Sequence, residues 1–181
     1  MKDNVYLDGY WQSWKYFNNY SDIIKKDFTI KLKYLNTIDR NLLTQIENSN
    51  SVALHVRRGD YVNNKDVNKF LGICDKSYYE SAIEFIKNKV VDPRFYIFSD
   101  DPDWCLKEFG NEFFIISGNH DWQDLWLMSK CKNQIIANSS FSWWAAWLNN
   151  NMEKIVVAPK KWFSGMNIKI DDRLPESWIK L

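Results

Sequence analysis

The sequence has no strong excess of charge of one sign and no long apolar run. Its 181 residues include 24 Lys+Arg and 23 Asp+Glu, which leaves a formal net charge of +1. Nucleic-acid-binding proteins usually carry a basic excess or a basic patch, and neither is visible here. Because no apolar run approaches the roughly 18 residues of a membrane span, and because the first residues are too polar for a signal peptide, we expect neither element.

Cysteine and histidine are both scarce. The three cysteines, Cys74, Cys105 and Cys131, are odd in number and widely spaced. This pattern argues against a disulfide framework or a CxxC zinc site and indicates a reducing cytosol. The two histidines argue against a multi-histidine metal centre. The sequence also lacks GxxxxGK(S/T), GxGxxG, GxSxG and HExxH, which weighs against P-loop NTPases, NAD enzymes, serine hydrolases and zincins.

Aromatic residues are abundant instead: 10 Trp, 9 Tyr and 11 Phe make up 17% of the chain. Flat aromatic faces can stack on sugar rings, but packing in a core is their commoner use. We therefore interpret the cluster of Trp143, Trp144 and Trp147 mainly as core. The hydrophobic content of 45% and the charged content of 26% are sufficient to bury such a core.

Hydrophobic spacing predicts an α/β fold, with a Rossmann-like parallel sheet and flanking helices. Apolar strands alternate with helices from residue 51 to residue 158, as is typical of parallel sheets covered on both faces. The predicted strands are 51–56, 95–98, 113–116, 134–137 and 155–158, and the predicted helices are 39–47, 77–91, 101–110, 121–131 and 140–149. We expect a connecting segment over 1–50, one main domain over 51–158, and a tail over 159–181 that packs back on it. The polar residues 63–75 are predicted to form a loop.

The first strand of the predicted sheet runs into a cluster of charged residues. Ligands of open parallel sheets bind beyond the carboxyl ends of the strands. On a strand, His55 and Arg57 share one face and Arg58 points to the other, while Gly59 allows a sharp turn. Adjacent arginines here predict a diphosphate clamp, because each guanidinium presents a fork of donors to phosphate oxygens. The alternative is a structural ion pair of Arg58 with Asp60.

The second strand is followed by the polar stretch Ser99-Asp100-Asp101-Pro102-Asp103. Asp101 precedes a proline at the first helical position and therefore suits a helix N-cap, whereas Asp100 is left over for another role. Asp101 and Asp103 also spell D-x-D, a metal–nucleotide motif of some sugar transferases. A metal site is thus the alternative interpretation of this stretch.

Two further helix starts follow the later strands. Of Asp121 and Asp124, one carboxylate suits the helix cap, and the other is left to accept hydrogen bonds from a base such as guanine. Ser139 and Ser140 stand where the next helix begins. They suit a cap alone, or an anion site together with the free N–H groups and the positive end of the helix dipole. His120 is more typical of a surface loop than of a ligand.

Together these residues resemble the signatures of the family 11 α-1,2-fucosyltransferases, the galactoside 2-alpha-L-fucosyltransferases. The first signature is residues 55–62, HVRRGDYV, and the most specific is residues 124–148, which contain NSSFSWWAAW. Residues 9–13, 96–101 and 159–163 also follow the family pattern. The match runs through nearly the whole chain in the order of the family.

The resemblance implies a GT-B-like fold of two Rossmann-like halves, of which this chain supplies the half that binds the GDP-sugar. It implies GDP-fucose as the donor, transfer of fucose to O-2 of a galactose residue with inversion, and no need for a divalent metal or another cofactor. A surface glycan such as lipopolysaccharide O antigen is the expected acceptor. The expected location is the bacterial cytoplasm, peripheral to the inner face of the membrane.

The resemblance also implies roles for individual residues. The implied donor-binding residues are His55, Arg57, Arg58, Asp100, Asp124, Ser139 and Ser140. Arg57 would hold the diphosphate with His55 beside the nucleotide, Asp124 would read the guanine edge, and Asp100 would lie near the guanosine. Ser140 and its helix N-terminus would bind phosphate.

Two residues are candidates for direct roles in the reaction. Arg57 would stabilise the charge that grows on the leaving GDP, which a metal ion does in other transferases. A general base must take the proton of the acceptor hydroxyl. Asp60 is the nearest candidate for that base, and its alternative role is the pair with Arg58.

One feature departs from the family pattern: a Gly-Gly-Leu-Gly-Asn-Gln type segment of the N-terminal half is missing from the sequence. We therefore expect the chain to be the donor half with its connecting segment, and expect it to associate with a separate N-terminal half. The alternative to an active transferase is a GDP-fucose-binding module without turnover on its own.

Overall fold

The computed structural model describes residues 6, 8–9, 11–164 and 172–181, and it confirms an α/β fold with a parallel sheet and flanking helices. The strands are β1 Asn50–Val56, β2 Pro93–Ser99, β3 Phe114–Ile116, β4 Asn133–Ile135, β5 Val156–Ala158 and β6 Ile179–Lys180. The α-helices of these ranges are α1 Ser21–Asp27, α2 Leu32–Leu35, α3 Arg40–Glu47, α4 Gly59–Asn63, α5 Lys65–Leu71, α6 Lys76–Lys87, α7 Pro102–Phe109, α8 Asp121–Lys130 and α9 Ser140–Leu148. None of these helices has the length and apolar character that a membrane span requires.

The strands of the described chain pair in parallel in the order β3-β2-β1-β4-β5-β6. From β1 the chain moves outward through β2 to β3, and it then crosses back so that β4 pairs with the other edge of β1. The strand order therefore reverses between β1 and β4. In doubly wound sheets, this switch point opens a crevice outside the carboxyl ends of the strands.

β1 is the central strand and is buried on both of its faces. Leu54 and Val56 pack into the hydrophobic cluster that includes α6 and α7, whereas Ala53 packs on the opposite side with α3 and α8. Strand alternation therefore puts His55 on the α8 side of the sheet. Its ring lies 5.5 Å from the ring of Phe141 in α9.

The turn that follows β2 forms as the sequence predicts. The carboxylate of Asp101 accepts a hydrogen bond from the backbone N–H of Trp104 at 3.2 Å, and Pro102 occupies the first turn of α7. Asp101 is therefore the N-cap of α7. The helix ends at Gly110, whose φ of +76° is strained for other residues but costs a glycine little.

The prediction of a loop over residues 63–75 was wrong, because α5 forms there. The missed signal is Asn64, whose side-chain oxygen accepts a hydrogen bond from the backbone N–H of Asp66 at 3.0 Å. Asparagine in this position is a strong helix-start residue. A tail strand was missed as well: β6 pairs with β5 and joins the tail to the edge of the sheet.

The tryptophans of α9 are mainly buried, which confirms their interpretation as core. Trp143 and Trp147 pack in a cluster beside β5. Trp144 is only partly buried, and it stacks on Phe17 at 5.5 Å and on Phe28 at 5.0 Å between ring centroids. The segment before the main sheet therefore contacts α9 through stacked aromatic rings.

Candidate functional site

A cleft of about 340 Å³ opens at the switch point of the sheet, beyond the carboxyl ends of β1 and β2. Its walls include side chains from the starts of α8 and α9. The predicted site residues that line it are His55, Arg57, Asp100, Asp124, Ser139 and Ser140. The fold therefore brings together residues that are up to 85 positions apart in the sequence.

The carboxylate of Asp100 connects the end of β2 to the end of β1. Its Oδ1 accepts a hydrogen bond from the backbone N–H of Arg58 at 2.8 Å, and its Oδ2 lies 3.1 Å from Nη1 of Arg57. The guanidinium of Arg57 also lies over the ring of Tyr61, 5.5 Å from its centroid. Asp100 thus holds the backbone of the turn and orients the Arg57 side chain towards the cleft.

Gly59 has a different role from the sharp turn that we expected. Its φ does not fall in the left-handed region, so its backbone conformation is open to other residues. A Cβ at this position would instead lie only 2.6 Å from Oδ2 of Asp100. Gly59 is therefore required by the close approach of the Asp100 carboxylate.

Arg58 points away from Arg57, as strand alternation predicts, but its partner differs from the one we expected. The ion pair that the structure describes for Arg58 joins its Nε to Oδ2 of Asp101 at 3.0 Å. The guanidinium also lies over the ring of Trp104, 4.0 Å from the centroid. Asp101 is the available carboxylate because the N-cap position of α7 brings it to this side of the turn. The expected partner, Asp60, belongs to α4, and its side chain lies outside the described part of the structure.

His55 is 4% exposed and lies at the bottom of the cleft. Burial lowers the pKa of its imidazole from 6.5 to about 3, and the neighbouring positive charge of Arg57 acts in the same direction. The ring is therefore neutral at physiological pH. Among the buried polar atoms that the structure describes, its Nδ1 is one without a hydrogen-bond partner.

The start of α9 forms part of the wall of the cleft. The side chain of Ser139 accepts a hydrogen bond from the backbone N–H of Phe141 at 3.3 Å and caps the helix. Ser140 is the first residue of the helix and is exposed at the cleft. Asn138 fixes the preceding turn, because its buried side-chain amide donates to the carbonyl oxygens of Leu71 at 2.9 Å and Trp162 at 3.1 Å.

The start of α8 adds two carboxylates, Asp121 and Asp124. Oδ1 of Asp124 accepts a hydrogen bond from Nδ2 of Asn119 at 2.9 Å. Burial raises the pKa of the Asp124 carboxyl, and the hydrogen bond from Asn119 partly opposes this rise. The expectation that Asp121 or Asp124 caps α8 was wrong, because the N-cap position is occupied by the exposed His120. The backbone N–H of His120 donates to the side chain of Gln123 at 2.8 Å, which is a local helix-start contact.

Four lining residues were not singled out in the sequence: Tyr61, Leu71, Phe98 and Phe141. Phe141 directly follows Ser140 and could have been found from its position in the helix start. Tyr61 reaches the cleft because α4 begins at Gly59, where the sequence carries no clear helix signal. The alternative of a metal site at D-x-D is weakened, because the carboxylate of Asp101, one of its two candidate metal ligands, is engaged by the helix cap and by Arg58.

Comparison with known proteins gives a family match and named relatives. The family profile described as "Glycosyl transferase family 11" matches residues 1–181. An Escherichia coli protein named "Alpha-1,2-colitosyltransferase" is 39% identical over 188 residues, which cover all of this chain and 64% of that protein. The E. coli "O-antigen biosynthesis glycosyltransferase WbnK" is 38% identical over 190 residues, which cover 100% of this chain and 62% of that protein. The mouse "Galactoside alpha-(1,2)-fucosyltransferase 1" is 28% identical over 155 residues, which cover 78% of this chain and 41% of that protein. The chain thus spans less than two thirds of the length of these relatives.

The buried, neutral His55 predicts a loss of stability in mild acid. Between pH 6.5 and about 3 the unfolded chain binds a proton at this residue and the folded chain does not. The stabilisation is therefore complete above pH 6.5 and is lost as the pH falls, by about 1.4 kcal/mol per pH unit. We expect His55 to lower the free energy of unfolding, measured with urea, by about 2 kcal/mol when the pH falls from 6.5 to 5. The His55→Gln variant should not show this loss of stability, whereas the control His120→Gln should show it as the wild type does. Equal pH profiles for the wild type and His55→Gln would contradict the prediction.

The contact between Gly59 and Asp100 predicts a strongly non-additive pair of substitutions. Gly59→Ala should lower the free energy of unfolding by about 1–3 kcal/mol, because the Asp100 carboxylate must leave its two partners. In an Asp100→Ala background the same change should cost nothing, since alanine favours helix α4. Gly110→Ala is the control for a glycine substitution that does not involve Asp100. A Cβ at Gly110 meets nothing within 4 Å, so the cost of this substitution comes only from the positive φ. An equal cost of Gly59→Ala in both backgrounds would show that Asp100 is not the cause.

Proposed function

The chain belongs to glycosyl transferase family 11, and on this premise we propose that it transfers L-fucose from GDP-fucose to O-2 of a galactose residue. The transfer inverts the anomeric carbon and uses no divalent metal. The acceptor is a surface glycan of the O-antigen type, and the reaction takes place at the cytoplasmic face of the membrane. The names of the E. coli and mouse relatives support the α-1,2 linkage, the sugar class and the O-antigen context.

One observation carries the proposal: Arg57 and the N-terminus of α9 line the same cleft. A guanidinium presents a fork of donors that matches phosphate oxygens. The helix end adds unpaired backbone N–H groups, the Ser140 hydroxyl and the positive end of the dipole. Two such groups lining one cleft at a switch point fit the diphosphate of a nucleotide-sugar better than they fit an uncharged ligand.

The chemistry of the transfer needs this positive charge. As the bond between the anomeric carbon and the β-phosphate oxygen breaks, the bonding electrons go to GDP and the sugar ring becomes cationic. O-2 of the acceptor galactose forms the new bond on the opposite face, and its proton passes to a base. Arg57 and the α9 N-terminus stabilise the charge on the leaving phosphate, and preorganised donors of this kind supply a large share of a rate enhancement.

The remaining site residues have more specific proposed roles. Asp124 accepts hydrogen bonds from the guanine edge, for which its position at the start of α8, on a wall of the cleft, is suitable. Asp100 lies near the nucleotide and acts mainly by holding Arg57 in position. His55 contacts the nucleotide as a neutral ring, because its low pKa prevents a charge–charge contact with phosphate. Asp60, at the start of α4, remains our candidate for the general base.

Two alternatives stand beside this proposal. One is colitose as the donor sugar, because a relative named for colitose transfer is 39% identical. The other is a GDP-sugar-binding module without turnover on its own. Transfer assays on a β-galactoside separate fucose from colitose as the donor sugar, when GDP-fucose and GDP-colitose are compared. Calorimetry tests the module, because binding of the GDP-sugar without transfer supports it.

The first prediction of this proposal concerns ligand stabilisation. GDP should raise the melting temperature of the chain, and EDTA should leave this rise unchanged, because the clamp consists of Arg57 and a helix end. At a hundredfold excess over its Kd, a ligand of the folded state adds about 2.7 kcal/mol of stability. Differential scanning fluorimetry with GDP, EDTA and added Mg²⁺ or Mn²⁺ measures this. A GDP shift that requires the metal would favour the D-x-D alternative instead.

The second prediction separates the two adjacent arginines. Arg57→Ala should weaken GDP binding about ten- to a hundredfold, which corresponds to losing one charge-assisted hydrogen-bonded pair of about 1.5–3 kcal/mol. Arg58→Ala should retain most of the affinity and instead lower the stability of the ligand-free protein, because Arg58 packs on Trp104 and pairs with Asp101. Arg57→Lys should restore the affinity only in part, since an ammonium cannot bridge two phosphate oxygens.

Calorimetric titration of GDP into the three variants decides between these outcomes. Urea unfolding of each variant separates a loss of binding from a loss of folding. Equal losses of affinity at both positions would mean that both guanidinium groups reach the phosphates. A larger loss at Arg58 would show that the assignment of the two faces is wrong.

A further inference from the structure

A second, smaller pocket adjoins the cleft and shares Ser140 with it. It measures about 80 Å³ against about 340 Å³ for the cleft, so it can take a ligand group much smaller than a nucleotide. The residues that define it are Trp11, Gln12, Trp144, Trp162 and Arg173, together with Ser140. The diphosphate site proposed above places the end of a nucleotide-sugar at this junction.

The pocket is formed by three segments that are distant in the sequence. Ser13 donates from its hydroxyl to the backbone carbonyl of Asp172 at 2.7 Å, which fixes the N-terminal segment on the tail. Arg173 donates to the side-chain oxygen of Gln12. The indole N–H of Trp143 donates to the carbonyl of Arg173 at 2.8 Å, which attaches the tail to α9. These bonds hold the pocket in shape before any ligand binds.

The lining combines aromatic surface with a few polar groups. Trp11, Trp144 and Trp162 supply aromatic surface, and Gln12 and Arg173 supply polar atoms at the rim. The guanidinium of Arg173 lies over the ring of Trp162, 5.2 Å from its centroid, and its half-burial lowers the pKa of the group. Apolar walls with a few directed polar groups are typical of small-molecule sites.

We propose that this pocket binds the C6 edge of the donor sugar and selects a 6-deoxyhexose by enclosing its C6 methyl group among the tryptophans. The inference rests on the proposed function, because it needs the diphosphate to lie between Arg57 and Ser140. The sugar bonded to the β-phosphate then presents its C6 edge to the pocket beside Ser140. A methyl group gains from apolar walls, whereas the hydroxymethyl group of an ordinary hexose would lose its hydrogen bonds to water there.

The proposal gives a role to Trp11 and Gln12, which the diphosphate site does not use. Fucose and colitose both carry a methyl group at C5 where galactose carries a hydroxymethyl group. A pocket that recognises this methyl group would accept both donors, which differ from each other at C3. Discrimination at C6 is therefore expected to be sharper than discrimination at C3.

The test compares three ligands by calorimetry: GDP, GDP-L-fucose and GDP-L-galactose, which differs from GDP-L-fucose by one hydroxyl at C6. Wild type should bind GDP-L-fucose about tenfold or more tightly than GDP-L-galactose, as hydrophobic pockets discriminate at the level of one small group. Trp11→Ala should reduce this ratio to about threefold or less and leave the affinity for GDP unchanged. Trp11 is 51% exposed, so the variant should fold. Tyr20→Ala, an exposed aromatic residue elsewhere in the N-terminal segment, is the matched control and should keep the wild-type ratio.

Saturation-transfer NMR gives a second, direct reading. When the protein's aromatic protons are saturated, the methyl protons of bound GDP-L-fucose should receive more saturation than the ribose protons, and Trp11→Ala should weaken this transfer. Two results would overturn the sugar pocket if GDP still binds normally: equal affinities for GDP-L-fucose and GDP-L-galactose, or methyl saturation that is unchanged in Trp11→Ala. Either result would leave the diphosphate site unaffected. Failure to bind GDP at all would overturn both.

Discussion

The carboxylate of Asp100 is the contact on which the geometry of the cleft depends. It accepts the backbone N–H of Arg58 and the guanidinium of Arg57, and so it joins the ends of two neighbouring strands through one side chain. The absence of a side chain at Gly59 allows this approach. With Asp100 in place, Arg57 is held at the cleft, while Arg58 is left to stabilise the start of α7 through Asp101.

The part of the cleft wall that α9 forms depends on the aromatic core under this helix. Trp143 and Trp147 are buried against the sheet, and Asn138 fixes the turn before the helix, so the first residues of α9 are held at the switch point. A rigid helix end is useful in a transferase, because donors that are already oriented need no reorganisation as charge develops on the leaving group. Trp144 of the same helix stacks on Phe17 of the N-terminal segment and lines the proposed sugar pocket. One aromatic cluster thus supports the core, the phosphate site and the pocket.

The local sequence was a good guide at two of the helix starts that border the cleft. Asp101 and Pro102 predicted the start of α7, and the pair Ser139 and Ser140 predicted the start of α9, because a helix cap bonds only two or three residues ahead. The same logic would have found α5 from Asn64. The partner of Arg58 could not be obtained in this way, since Asp101 belongs to another strand end and is brought close only by the pairing of β1 with β2.

The sequence by itself determined the α/β class, the alternation that puts His55 and Arg57 on one face, and the resemblance to the family to which the chain belongs. These features depend on side-chain periodicity and on contiguous motifs, which act over a few residues. Only the tertiary structure decided the strand order, and with it the switch point where β1 and β4 bring Arg57 and Ser140 into one cleft. It also decided the close approach that requires Gly59, and the pocket that joins Gln12 to Arg173 across about 160 residues. Such contacts depend on how the strands are arranged in the sheet, and a single sequence carries no local signal for that arrangement.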